Sequence, residues 1–355
     1  MADKALKKAA FHKAIFVCIA LSFGAISCQQ DEENRPAVKT LEKSFEIKTI
    51  SALEEPRFFW QISSICFDND GNLYVADSGW NQVFKFNSDG EYMGSFGRQG
   101  QGPGEFLANP RLNTLRITFG NNKKFYVYDP GNNRISVFSE SFVFEKSFTV
   151  SSAGPRILDT PDVNSNGDIF LVGYDGGFLI QCFDQQFSLK ARLLDSNQHF
   201  RSDFFDLREI ARRRLTSEYD LGKEISADDH LVVLSNYTLC VYIFDQECIL
   251  IREFSVARNK EFMRDFEKRV DQARKKKGQI FPFSLHLDNE GNICLGYFHG
   301  AVDNWVIYRY SQTGQFIDTL ITRERIFPPF VSDREGSLYA LNSDRTALTK
   351  YQIVK

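Results

Sequence analysis

Five residues suited to ligand recognition fall at one position of a recurring pattern in this 355-residue chain. Counting eight residues back from Asp68, Phe119, Asn164, Ser226, Asp288 and Asp333 reaches Trp60, Arg111, Arg156, Glu218, Ile280 and Arg325. Guanidinium forks match carboxylate or phosphate oxygens, and an aromatic face stacks on a ring. Trp60 with Arg111, Arg156 and Arg325 could therefore hold an anionic or sugar-like ligand. A second reading stays open, in which the arginines pair with Glu218 or with loop acids and solvate the surface they share.

Other constellations carry less chemistry. Asp77 and Asp129, each followed by an asparagine at Asn81 and Asn133, have metal-ligand side chains. Asp and Asn, however, bond the backbones of their own turns, and DNDG at 68–71 lacks the remaining oxygens of a calcium loop. No metal or cofactor is expected, with a divalent cation in a central channel as the alternative. Beyond the leader the histidines are His199, His230, His286 and His299. No G-x-S-x-G elbow is present, and no Ser, His and acid spacing stands out, so enzymatic activity is left open without a signature.

The elements that must position these residues are short strands. LYVADSGWNQVFKF (73–86) is echoed by FYVYDPGNNRISVF (125–138) almost residue for residue. Residues 62–97 read as four strands separated by DNDG, SGWNQ and SDGE, and Asp-Gly pairs between alternating segments mark tight hairpins. Further copies run over 112–150, 156–194, 225–256 and 284–321, and a sixth from Pro329 stops after three strands. SFEIKTI (44–50) supplies the missing strand if it pairs outside Lys350 to Val354, which leaves no open edge. The expected fold is all-β, a six-bladed β-propeller of four-stranded antiparallel blades closed by an N-terminal strand. The 34 phenylalanines suit such a core.

Two links between blades read as helical insertions on one face, about 199–215 and 258–278. In the second, Phe262, Phe266, Val270 and Ala273 mark an apolar stripe ended by Gly278. A third link, GRQGQGPGEFLANP (97–110), is glycine-rich.

The N-terminus has a different composition. Lys4, Lys7, Lys8 and Lys13 precede the apolar run 14–27, which reads as a signal peptide. AISC resembles a bacterial lipobox, making Cys28 the lipidated first residue and 28–43 a flexible tether, with ordinary secretion as the alternative. Removing 1–27 takes away four lysines and one aspartate, leaving 39 basic against 45 acidic residues, so nucleic acid is not an expected partner. Five cysteines remain beyond Cys28 and none has C-x-x-C spacing.

VADSGWNQVFKFNSDGEYMGSFGRQGQGPGEF resembles the NHL-repeat family. With the leader, the chain is similar to the uncharacterised six-bladed propeller lipoproteins of Bacteroides-type bacteria. The resemblance implies an outer-membrane lipoprotein, periplasmic or surface-exposed, that binds a small molecule, a glycan or a protein. A lactonase or lyase-type metal enzyme and a protein-assembly platform are the alternatives.

Overall fold

Turn chemistry sets the register of each meander. In the first blade, Asp68 N–H bonds Asn72 O, and Asp68 Oδ1 accepts from Asp70 N and Asn72 N, both at 2.9 Å. The chain reverses at Gly71 with φ of +83°, where a side chain would be strained. The same carboxylate turn recurs at Asp288 and Asp333, in blades five and six.

The computed structural model describes residues 37–50, 56–108, 114–150, 160–175, 177–195, 221–236, 238–260, 262–264, 267–268, 284–297, 305–322, 324 and 327–354. Blade one comprises Ile62–Phe67, Leu73–Asp77, Gln82–Phe86 and Tyr92–Phe96, paired in that order. Blades two to five repeat the order from Arg116–Phe119, Asp162–Val163, Leu221–Ile225 and Ser284–Leu287. Blade six has Phe327–Ser332, Leu338–Leu341 and Leu348–Val354 from the C-terminal end of the chain.

The N-terminal strand completes it. Ala37–Ile47 pairs antiparallel with Leu348–Val354, from Thr40 opposite Val354 to Ile47 opposite Leu348. This strand begins seven residues before the expected Ser44, and its tail, Thr49–Ile50, turns to pair with Arg57–Phe58 instead. It also lies between Leu348–Val354 and Phe316–Thr322, the outer strand of blade five, so blades five and six form one eight-stranded sheet. Lys39 Nζ reaches Asp318 at 2.7 Å across that junction. Asp318 in turn takes a bidentate pair from Arg309, with both contacts at 2.7 Å.

The first strands of the six blades touch in cyclic order, blade six meeting blade one. Burial explains why the ring holds. Alternate residues of each second strand face opposite neighbours, so Val75 packs toward blade six while Tyr74 and Ala76 pack toward blade two. Both faces of these strands are covered, which is why they read as unbroken apolar runs. Among the described residues the core is thus divided into six clusters, one at each junction between blades. Phenylalanine is concentrated there: Phe96, Phe106, Phe125, Phe138 and Phe142 interlock between blades one and two.

Of the two helical insertions, 199–215 lies outside the described residues, as does most of 258–278. Phe262, which begins the expected apolar stripe, is buried between blades four and five against Tyr308. Its N–H is capped by Asn259 Oδ1 at 2.7 Å. No helix among the described residues is long and apolar enough to cross a membrane.

Candidate functional site

Strand alternation builds an aromatic platform just ahead of the first strand of blade one. The strand Arg57–Phe58 leads into a bend at Trp60, and from Phe58 to Trp60 the side chains run exposed, buried, exposed. Phe59 goes down and is anchored in the core against Phe84 and Phe86, with both ring centroids 6.0 Å away. Phe58 and Trp60 consequently go up, and stand 69% and 60% exposed.

Trp80, in the turn between the second and third strands, meets Trp60 at 5.8 Å with ring planes 74° apart. The two indoles form an open corner rather than a closed stack. The guanidinium of Arg57 lies over the Trp80 ring at 5.3 Å, and Trp80 Nε1 donates to Phe58 O at 2.9 Å. Large aromatic surface is thereby held outward by one ring hydrogen bond and one cation–π contact, both on Trp80.

Asp77 fixes this arrangement. Its buried carboxylate accepts from Trp60 N at 2.7 Å, Gln61 N at 3.1 Å, Gly79 N at 2.8 Å and Trp80 N at 3.1 Å. Burial pushes the carboxyl above its ordinary value, while these four donors pull it down. Gly79 is required as well, since a Cβ there would sit 2.4 Å from Trp60 Cγ. The expectation that Asp77 bonds its own turn thus describes half its role; the other half is to tie in the incoming strand.

Asp129 repeats the device in blade two. Both its oxygens accept from Leu107 N, and Asn132 donates to it from backbone and side chain. Leu107 belongs to the glycine-rich link, which the Arg134 guanidinium also grips through the carbonyls of Gln101, Gly102 and Glu105. Glu105 folds back on the same link, accepting from Gly102 N and Arg98. Asn81 Oδ1 takes Ala108 N at 2.6 Å, joining the link to the turn that carries Trp80. The platform and the link form one braced rim.

Of the residues singled out by the eight-residue count, Trp60 stands at this rim, and its partners are Trp80 and the hairpin of Arg57. Arg111, Arg156, Glu218 and Arg325 lie outside the described residues, as does Cys28. Spacing alone did not reveal Trp80 and Arg57 as partners of Trp60. The signal available was SGW, a glycine beside an aromatic in a turn, where polar residues are usual.

The histidines divide. His286 is buried on the first strand of blade five, at the far end of the inner strands from Trp60, between Glu224 and Ser332. His199 and His299 lie outside the described residues. Among the described residues, no cluster of three or more His, Cys, Asp or Glu side chains is placed to hold a metal ion.

Comparison with known proteins agrees with the architecture. A family model described as DUF5128: 6-bladed beta-propeller matches residues 38–159. No curated protein matches the chain. Among solved structures, a putative exported protein from Bacteroides fragilis is 14% identical with a TM-score of 0.56, covering 90% of this chain and 100% of its own. A member of the DUF4221 family from Bacteroides vulgatus is 10% identical with a TM-score of 0.53, covering 89% and 98%. At such identities the likeness is one of fold. The chain is a six-bladed all-β propeller.

Proposed function

We propose that this protein is an exported propeller of the cell envelope, lipid-anchored through Cys28, that binds a sugar-like ligand on the Trp60 and Trp80 rim. One observation carries the reading: two neighbouring indoles are presented to solvent by a buried carboxylate that holds the backbone of both. Exposed aromatics standing singly are ordinary, but a braced aromatic corner is costly to maintain without an occupant.

Its chemistry suits a ring with one apolar face and polar edges. Such a ligand stacks on Trp60, meets the Trp80 edge, and finds the Arg57 guanidinium for an oxygen or a carboxylate. Recognition of a neutral or acidic glycan follows more naturally than recognition of nucleic acid, given the acidic balance of the chain. Export is supported by the leader and by the similarity to a structure described as a putative exported protein.

Titrating the purified propeller with neutral and uronic-acid oligosaccharides, with tryptophan emission and calorimetry as readouts, tests this reading. Saturable binding lost in Trp60→Ala sustains it. Equal binding by that variant, or none by the wild type, sinks it.

A further inference from the structure

In blades one to five the turn between the third and fourth strands reverses through one residue of positive φ: Gly90, Phe142, Phe187, Cys248 and Gly314. Where that residue has a side chain, it reaches across the seam to the preceding blade. Phe142 packs on Tyr74 and Phe96 of blade one, and Phe187 stacks on Phe148 of blade two at 5.1 Å. Cys248 packs in the same way against the core shared by blades three and four.

The position that faces this turn residue also recurs. In blade one it is Lys85, two residues before the Asn87 that opens the turn, and its Nζ lies 5.7 Å from the Phe142 ring centroid. In blade three it is Cys182, two residues before the Asp184 that opens the equivalent turn. Strand register agrees, since Lys85 pairs with Tyr74 and Cys182 with Phe170 at matching places on their second strands. Two positions that meet across the first seam are thus both cysteine at the third.

Both cysteines are thiols in the structure, and they hydrogen-bond each other. Cys182 is fully buried and Cys248 half-buried, so a reagent reaches Cys248 first. The bond from Cys182 and the nearby Lys190 ammonium hold the Cys248 thiol below its ordinary value despite burial. The same bond, followed by burial, pushes the Cys182 thiol up. Lys190 is itself fixed by Asp168 at 2.6 Å. Cys240, by contrast, pairs with Ser255 at the far end of the hairpin from Cys248.

We propose that Cys182 and Cys248 are an oxidisable pair that closes a disulfide between blades three and four and staples that seam, with Cys248 attacking and Cys182 resolving. The oxidant is a disulfide, either of a small thiol or of a thiol oxidoreductase. Cys248 thiolate attacks one sulfur of that disulfide, and the other sulfur leaves as a thiolate. Cys182 then loses its proton to solvent and attacks Cys248 Sγ in the mixed disulfide, releasing the second thiolate. Two cysteine thiols are oxidised and one external disulfide is reduced to two thiols. The inference is independent of the glycan reading of the rim, although export would place the pair in an oxidising compartment.

The test reduces the full chain, incubates it with oxidised glutathione, and maps its peptides by mass without reduction. The proposal expects a cross-linked peptide joining Cys182 to Cys248. Folded Cys182→Ala should instead keep glutathione on Cys248, because nothing resolves the mixed disulfide. The oxidised wild type should melt roughly 5 °C or more above its reduced form, and Cys248→Ser should lose that difference. Glutathione retained on wild-type Cys248, a cross-link to another cysteine, or equal melting of the two wild-type forms overturns it. If Cys182→Ala melts early, the wild-type map and melting curves decide.

Discussion

Asp77 Oδ2 accepts the backbone N–H of Trp60 at 2.7 Å, although the two residues lie 17 positions apart and only one of them is buried. The bond ties the end of the second strand of blade one to the approach of its first. It turns an acid in a hairpin into the support of an exposed aromatic surface.

Removing that support should cost both stability and binding. Asp77→Ala leaves four N–H groups without their acceptor, and each buried orphan donor costs about 1–3 kcal/mol before relaxation or water relieves it. Urea unfolding should show a free energy lowered by that order, read as a lower midpoint. Acrylamide should quench the variant's tryptophan emission differently, since Trp60 and Trp80 are the exposed pair of three tryptophans and Trp305 is buried.

Gly79→Ala is a sharper probe. The added Cβ would overlap Trp60, so the indole must move while the strands behind it stay paired. Ligand binding should weaken much more than thermal stability falls. A variant with wild-type affinity would show that the Trp60 position is irrelevant.

Ring closure depends on a buried acid in blade five. Burial works to raise the Asp318 carboxyl, but hydrogen bonds from Arg309 and Lys39 outweigh it and hold the group below its ordinary value. A carboxyl depressed on folding contributes stability above its unfolded value, near 3.8, and loses that contribution as pH falls through the folded one. Asp318→Asn should therefore cost about 3–5 kcal/mol at neutral pH, as expected when one partner of a buried pair is removed. Its stability should also fall less steeply than that of the wild type below pH ~4. Denaturant midpoints from pH 7 to pH 2.5 check both parts.

One turn offers a gain. The position that is Gly71 in blade one is Lys123 in blade two, exposed and at φ +62°. A side chain in that region costs roughly 1–2 kcal/mol, partly offset by the entropy that a glycine loses. Lys123→Gly should raise stability by about 0.5–1 kcal/mol, read as an upward shift in Tm.

The fold was legible because its rules are local. Asp-Gly turns, apolar runs of strand length and the echo between 73–86 and 125–138 specify hairpins within a dozen residues. The closing strand was legible too, since three strands in the last blade leave a vacancy that an N-terminal strand fills. Its start at Ala37 was not, because VKTLEKS carries charges that suit an outermost strand as well as a tether. Site geometry was harder still. Trp60 and Trp80 meet because Asp77 folds two separate segments together, and Glu224, His286 and Ser332 meet only when three blades stand side by side. Neither relationship leaves a spacing in the sequence, since the first depends on hydrogen bonds between separate segments of blade one and the second on neighbouring blades standing side by side.

The central claim is that the aromatic rim of blade one is a binding surface. Its most direct test is calorimetric titration of the oligosaccharide series into wild type, Trp60→Ala and Trp80→Ala, each verified as folded by its melting curve. Saturable wild-type binding that weakens tenfold or more in both variants is the predicted result. Binding that persists unchanged in both would contradict the account.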